Sequence, residues 1–202
     1  MKWKFTGGKV LLAFTLLALT GVAQAHVGHE GGHSSTFLSG LAHPASGIDH
    51  LLAMVAVGLW SAVAWPQRRW LAPAVFVAMM ALGAVLAHQG LTLPVGGALE
   101  WLIAASVVLL GGLLVCGAAL PGTWGLVLVA VSAWLHGTAH GLEMAEGASF
   151  MAYGAGFVLA TALLHLGGMG LGVLLQRMRS VLPQAAGALI GVAGLAMLVS
   201  RI

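Results

Sequence analysis

Residues 124–146 read WGLVLVAVSAWLHGTAHGLEMAE. From Trp124 the segment stays free of Lys, Arg, Asp and Glu until Glu143, a run matching the ~20 residues a membrane-crossing helix needs. Its ionisable groups gather toward one end, as His136, His140 and Glu143. At about 100° per residue, steps of four and three set these side chains on one stripe. Two imidazoles one turn apart can share a metal ion. A carboxylate three residues on can be a third ligand or can orient one of them. Ionisable groups at membrane depth cost several kcal/mol and by default mark a site or a transport path. Three on one face point to such a site rather than to a hydrogen-bonded seam between helices.

The rest of the chain carries the same signature. Its 202 residues are 60% hydrophobic and 6% charged, whereas a soluble surface needs about a quarter charged residues. Thirty glycines suit close helix packing in lipid. The expected fold is all-α, an integral membrane bundle of six transmembrane helices after a cleavable signal peptide. The signal peptide is residues 1–25, with Lys2, Lys4 and Lys9 at its start, an apolar core from Val10 to Val22 and Ala23-Gln24-Ala25 as the cleavage site. An exterior His-rich tail (26–36) and the transmembrane domain (37–202) follow. Without the leader, five Arg balance five acids. No basic patch remains for nucleic acid. The single cysteine, Cys116, excludes an internal disulfide and a C-x-x-C motif; it reads as a small buried hydrophobe near a helix end.

The six apolar segments are Pro44 to Ala64, Trp70 to Leu91, Gly97 to Leu120, Thr123 to Met144, Ser149 to Leu175 and Leu182 to Ser200. Arg68, Arg69, Arg177 and Arg179 fall on one side of that topology, and Arg201, Glu143 and Glu146 on the other. The positive-inside rule and the signal peptide then agree on the orientation. The mature N-terminus and the C-terminus are periplasmic, and the protein is expected in a bacterial inner membrane. Trp65, Trp70, Trp101 and Trp124 sit near helix ends, as interfacial anchors do. Gly187 with Gly191, and Gly167, Gly168, Gly170 and Gly172, read as packing surfaces.

A second polar motif, His43-Pro44-Ala45-Ser46-Gly47-Ile48-Asp49-His50, opens the first segment. Pro44 suits the first position of a helix capped at His43. Asp49 and His50 then lie more than a turn inside the membrane. In a continuous helix His43 and His50 would differ by roughly 10 Å in height, too far to share one ion comfortably. Either Gly47 breaks the helix, as in transporters with unwound ion sites, or His43 belongs to a separate outer site. Counted from the outer surface, Asp49, His50, His136 and His140 share the outer half of the bilayer and can converge. His88 and Glu100, near outer helix ends, are weaker candidates. So are His26 and His29 in the tail HVGHEGGH, where short His tracts capture metal weakly. His165 reads as a satisfied core histidine rather than an exit ligand.

The H-P-x-x-G-x-D-H pattern at His43–His50 and the H-G-x-A-H-G-x-E pattern at His136–Glu143 resemble the HupE/UreJ family. The resemblance covers essentially the whole chain. It implies a secondary permease for nickel, or nickel and cobalt, supplying hydrogenase or urease maturation proteins. It also implies that His43, Asp49, His50, His136, His140 and Glu143 carry the metal path. The family's second motif usually begins with Phe, where this chain has Leu135; the polar residues are intact.

The expected function is therefore a non-ATP-hydrolysing, non-enzymatic permease for divalent ions. Ni(II) or Co(II) is the transported substrate, and no cofactor is permanently bound. No P-loop pattern such as G-x-x-x-x-G-K-[ST] occurs. The rival is an intramembrane zinc-dependent hydrolase, with zinc on His50, His136 and His140 and Asp49 or Glu143 as general base. A third reading is an assembly subunit whose polar groups only join helices.

Overall fold

The computed structural model describes residues 36–92, 96–117, 121–143 and 149–201. The signal peptide and nearly all of the tail, with His26 and His29, lie outside the described residues, as does Glu146. The described chain is helical, with no strand among those residues: α1 (Phe37–Ser46), α2 (Ile48–Ala64), α3 (Leu71–His88), α4 (Leu99–Cys116), α5 (Gly122–Glu143), α6 (Phe150–Met178) and α7 (Leu182–Val199). Short 3-10 turns at Pro66–Arg68 and Gly96–Ala98 precede α3 and α4. Helices α3 to α7 are each long and apolar enough to cross a membrane, and α1 with α2 makes a sixth span if the bent pair counts as one. An integral membrane bundle is what the composition demanded, and this chain is a multi-pass membrane protein.

The first span differs from the sequence expectation in a way that matters for the site. It does not begin at Pro44 with His43 as its cap. The helix starts earlier, where Thr36 and Ser39 form a reciprocal capping box. His43 and Pro44 then fall in the last turns of α1. Proline inside a helix removes one backbone donor and crowds the preceding turn, and the helix stops at Ser46. Gly47 is extended (φ −104°, ψ 115°) and serves as both the end of α1 and the start of α2. The two helices are bent by 75°. A Cβ on Gly47 would lie 2.9 Å from His50 Nδ1 and 3.0 Å from Asp49 Oδ1. The break therefore needs glycine for close approach, and Gly47 breaks the helix as one of the two sequence alternatives required.

Helix α2 is the axis of the bundle: Met54, Val57, Leu59 and Trp60 are all almost fully buried. Around it, α3 packs along α5, α4 along α7, and both α1 and α2 along α6. These seams are backbone-to-backbone. A Cβ at Gly58 on α2 would strike the His165 carbonyl of α6, and one at Gly137 on α5 would strike the Met80 carbonyl of α3. Close contact of this kind replaces the hydrophobic drive that helices lack in lipid. Gly187 serves the α4–α7 seam, and Gly168 and Gly172 the α2–α6 seam, whereas Gly167 and Gly170 face open space.

Exposure is inverted relative to a soluble protein. Leu189, Val192, Val131 and Leu163 are more than half exposed, while the buried polar side chains include His50, His136, His140, His165, Ser106 and Thr161. An apolar rim around an interior that admits these polar side chains within its apolar core suits a hydrocarbon solvent. Cys116 is exposed at the end of α4, contrary to its reading as a buried hydrophobe.

Candidate metal-ion site

The broken first span brings both motifs to one end of the bundle. His43 comes from the end of α1, Asp49 and His50 from the first turn of α2, and His136, His140 and Glu143 from the last turns of α5. Ring centroids are 4.8 Å apart for His43–His140, 4.3 Å for His50–His140 and 4.6 Å for His50–His136. His140 is the hub. Glu143 Oε2 stands 3.4 Å from His43 Nε2 and 3.7 Å from His140 Nδ1. One ligand atom from each of His43, His140 and Glu143 lies within 4.8 Å of the others. Bonds of about 2 Å to a common ion would require these atoms some 3–4 Å apart, so a modest contraction would complete the set.

The nitrogens that face one another are unpartnered. Among the described residues, His50 Nε2, His136 Nδ1 and both ring nitrogens of His140 are buried with no hydrogen bond. Leaving a buried polar atom unsatisfied costs about 1–3 kcal/mol. Unpartnered imidazole nitrogens gathered in this way are donors suited to a cation.

The second nitrogens of His50 and His136 are used, and this fixes which atoms remain. Ser106 Oγ donates to the Ile103 carbonyl at 2.7 Å. Its only proton is thereby engaged, so at 2.9 Å it accepts from His136 Nε2–H. His136 is held in the tautomer whose lone pair is on Nδ1. His50 Nδ1–H donates to Asp49 Oδ1 at 2.7 Å, which leaves the Nε2 lone pair free. Carboxylate or hydroxyl partners of this kind orient metal-binding imidazoles.

Asp49 itself is fully engaged. Its Oδ1 also accepts the His50 backbone N–H at 2.8 Å, and its Oδ2 accepts from Arg201 Nη2 at 3.4 Å. Its geometry is that of an orienting group behind His50, unlike the direct ligand the sequence suggested. Arg201 bridges onward to Glu100, by an ion pair of 3.1 Å and by donation to the Glu100 carbonyl. Glu100 therefore reaches the cluster only through Arg201. His88 is exposed and stacked on Phe150 at 4.8 Å, outside the cluster. Sequence reasoning missed Ser106 and Arg201, since neither sits in a motif.

Aromatic rings close the sides. Phe157 lies 4.2 Å from His140 and 6.0 Å from His43, Tyr153 lies 5.8 Å from His43, and Phe76 lies 6.2 Å from His136, all between ring centroids. Exposure falls along the cluster. The Glu143 and His43 side chains are 52% and 32% exposed, but His140 is 3% and His136 0%. The donors are imidazole nitrogen and carboxylate oxygen without thiolate, a set for borderline divalent first-row ions rather than Cu(I).

These features define a class: a multi-pass helical membrane protein whose interior holds a graded histidine–carboxylate cluster open at one end. The chain belongs to the HupE/UreJ family; the family's model, described as "HupE / UreJ protein", matches residues 13–197. It is 38% identical over 192 residues to "Protein HupE" of Rhizobium leguminosarum bv. viciae, covering 95% of this chain and 97% of that protein. No solved structure matches significantly.

Proposed function

We propose that the chain is a secondary permease that imports a divalent transition-metal ion, Ni(II) or Co(II), through this cluster. The observation that carries the reading is the gradient: ligand-bearing side chains run from half-exposed Glu143 to fully buried His136, and among the described residues His50 Nε2, His136 Nδ1 and both His140 nitrogens have no hydrogen bond. Glu143 and His43 would receive the hydrated ion. His140 would hand it to His50 and His136, replacing its water shell stepwise. Binding must stay weak enough for release, which suits neutral imidazoles better than thiolates.

The orientation rests on Arg68, Arg69, Arg177 and Arg179, which follow α2 and end α6, the ends opposite the cluster. The positive-inside rule sets that side in the cytoplasm and the cluster toward the periplasm of a bacterial inner membrane. Hydrogenase or urease maturation proteins would then use the delivered metal.

The test is uptake of labelled nickel and cobalt by cells expressing wild type or His140→Ala at matched membrane abundance. Loss of the hub should lower initial uptake at least tenfold, and equal uptake by the two would refute the reading. A zinc hydrolase would instead retain stoichiometric zinc through detergent purification and dialysis.

A further inference from the structure

His165 was expected to be a satisfied core histidine. It is 1% exposed on α6, and neither ring nitrogen has a hydrogen-bond partner among the described residues. The Thr161 carbonyl, one turn back, interacts with the ring without completing a hydrogen bond to either nitrogen. A leucine there would carry no such penalty of about 1–3 kcal/mol for each unmet polar atom. A membrane bundle that keeps an unsatisfied imidazole at its centre needs a reason beyond packing.

Its position supplies one. Phe76 packs against His165 at 5.0 Å on one side and faces His136, the deepest member of the outer cluster, at 6.2 Å on the other. One aromatic ring thus contacts both imidazoles. Along α6, His165 is two turns beyond Phe157, the residue that walls His140, or about 12 Å further at 1.5 Å per residue. That displacement runs toward the helix end bearing Arg177. A hydroxyl lies on the same helix face. Thr161 is fully buried one turn back on the same face of α6, and its Oγ1 lies 4.0 Å from the sulfur of buried Met80 on α3.

We propose that His165, with the Thr161 hydroxyl one turn back on the same helix face, forms a second, inner binding site for the transported divalent ion. The Phe76 ring lies against both this imidazole and the deepest one of the outer cluster. The inner site rests on the permease reading and adds a second stage to it. One imidazole with one weak donor binds far less tightly than four imidazoles and a carboxylate. The ion is thus held strongly where it is captured and loosely where it is released, the order a conduit requires.

The discriminating substitution is His165→Leu, which fills similar volume and removes both unmet nitrogens. A structural role predicts equal or higher thermal stability with normal transport. The inner site predicts equal or higher stability with initial nickel uptake reduced tenfold or more at matched abundance. It also predicts that Co(II) titration of the purified full-length protein retains the tight site within twofold and loses one weaker equivalent. Wild-type uptake by this variant would overturn the proposal. Should His165→Leu fail to accumulate, His165→Cys and His165→Gln decide. Cysteine keeps a metal donor and should retain uptake that glutamine loses, and equal uptake by both would again overturn it. His140→Ala, assayed in parallel, separates the two ideas. If it alone abolishes uptake the inner site fails, and if it has no effect the permease reading fails with it.

Discussion

Replacing Ser106 by alanine removes one hydroxyl and, on the geometry here, one proton position. Ser106 is 2% exposed and His136 0%, with 2.9 Å between Oγ and Nε2. No water can substitute in so closed a contact, so the His136 Nε2–H would be left unmet at a cost of about 1–3 kcal/mol. The ring relieves that cost by turning, or by moving its proton to Nδ1, and either response withdraws the lone pair that faces His50 and His140. Loss of an orienting partner behind a metal-bound histidine weakens affinity by about 10–100-fold, or about 1.4–2.7 kcal/mol. The assay is nickel titration of purified Ser106→Ala by calorimetry at neutral pH, beside uptake kinetics in cells. Affinity should fall within that range, and half-saturation of uptake should rise with a smaller change in maximal rate. Ser61→Ala is the control: Ser61 is equally buried and donates to the Gly58 carbonyl at 2.7 Å, with no hydrogen bond to an imidazole among the described residues. If Ser106→Ala binds nickel within twofold of wild type, or if Ser61→Ala weakens binding as much, the tautomer argument is wrong.

Other outcomes follow from neighbouring contacts. Arg201→Gln strips the cation from Asp49, whose side chain is 15% exposed. A stability loss of about 1–2 kcal/mol is expected, below the 3–5 of a fully buried pair because Arg201 is partly solvated. In a double-mutant cycle with Asp49→Asn the losses should be less than additive, and strict additivity in thermal unfolding would show that the pair contributes nothing. Gly47→Ala sets a Cβ 2.9 Å from His50 Nδ1 and favours a continuous helix by about 1 kcal/mol. Uptake should drop several-fold without loss of abundance, and an unaffected rate would mean the close approach does not matter. Protons compete with metal for imidazole, so initial uptake should decline as external pH is lowered from about 7.5 to 5.5. A flat profile over that range would argue against histidine capture at the outer end.

Much of the architecture was legible because lipid makes hydrophobic length the dominant signal. Five of the six spans stand within a few residues of their expected bounds, α3 at Leu71–His88 and α7 at Leu182–Val199 among them. That His50 could meet His136 and His140 was readable from depth, since one motif opens α2 and the other closes α5. The first span was not settled by pattern. A continuous helix from Pro44 and a helix broken at Gly47 have the same composition, and the choice is made by tertiary contact. The roles behind the ligands were hidden for a related reason. Ser106 is one hydroxyl in an apolar run, and Arg201 lies 152 positions from Asp49; no spacing rule links such residues. His165 shows the converse: a general preference for satisfied core histidines met a ring whose nitrogens make no hydrogen bond among the described residues.

The glycine-lined seams have a mechanical consequence. Where two backbones touch directly there are no side-chain rotamers to rearrange, so such a contact either holds or separates. Gly137 and Gly83 lock α3 to α5, making one stiff unit that carries Phe76, Met80, His136, His140 and Glu143. Gly58 and Gly168 lock α2 to α6, and Gly40 and Gly156 lock α1 to α6, making another that carries His43, His50, Thr161 and His165. Every imidazole pair in contact across the cluster, and the Phe76 ring against His165, has one member on each unit. Sliding one block against the other by a fraction of a helical turn would therefore change the outer imidazole contacts and the Phe76–His165 contact together, as a single degree of freedom.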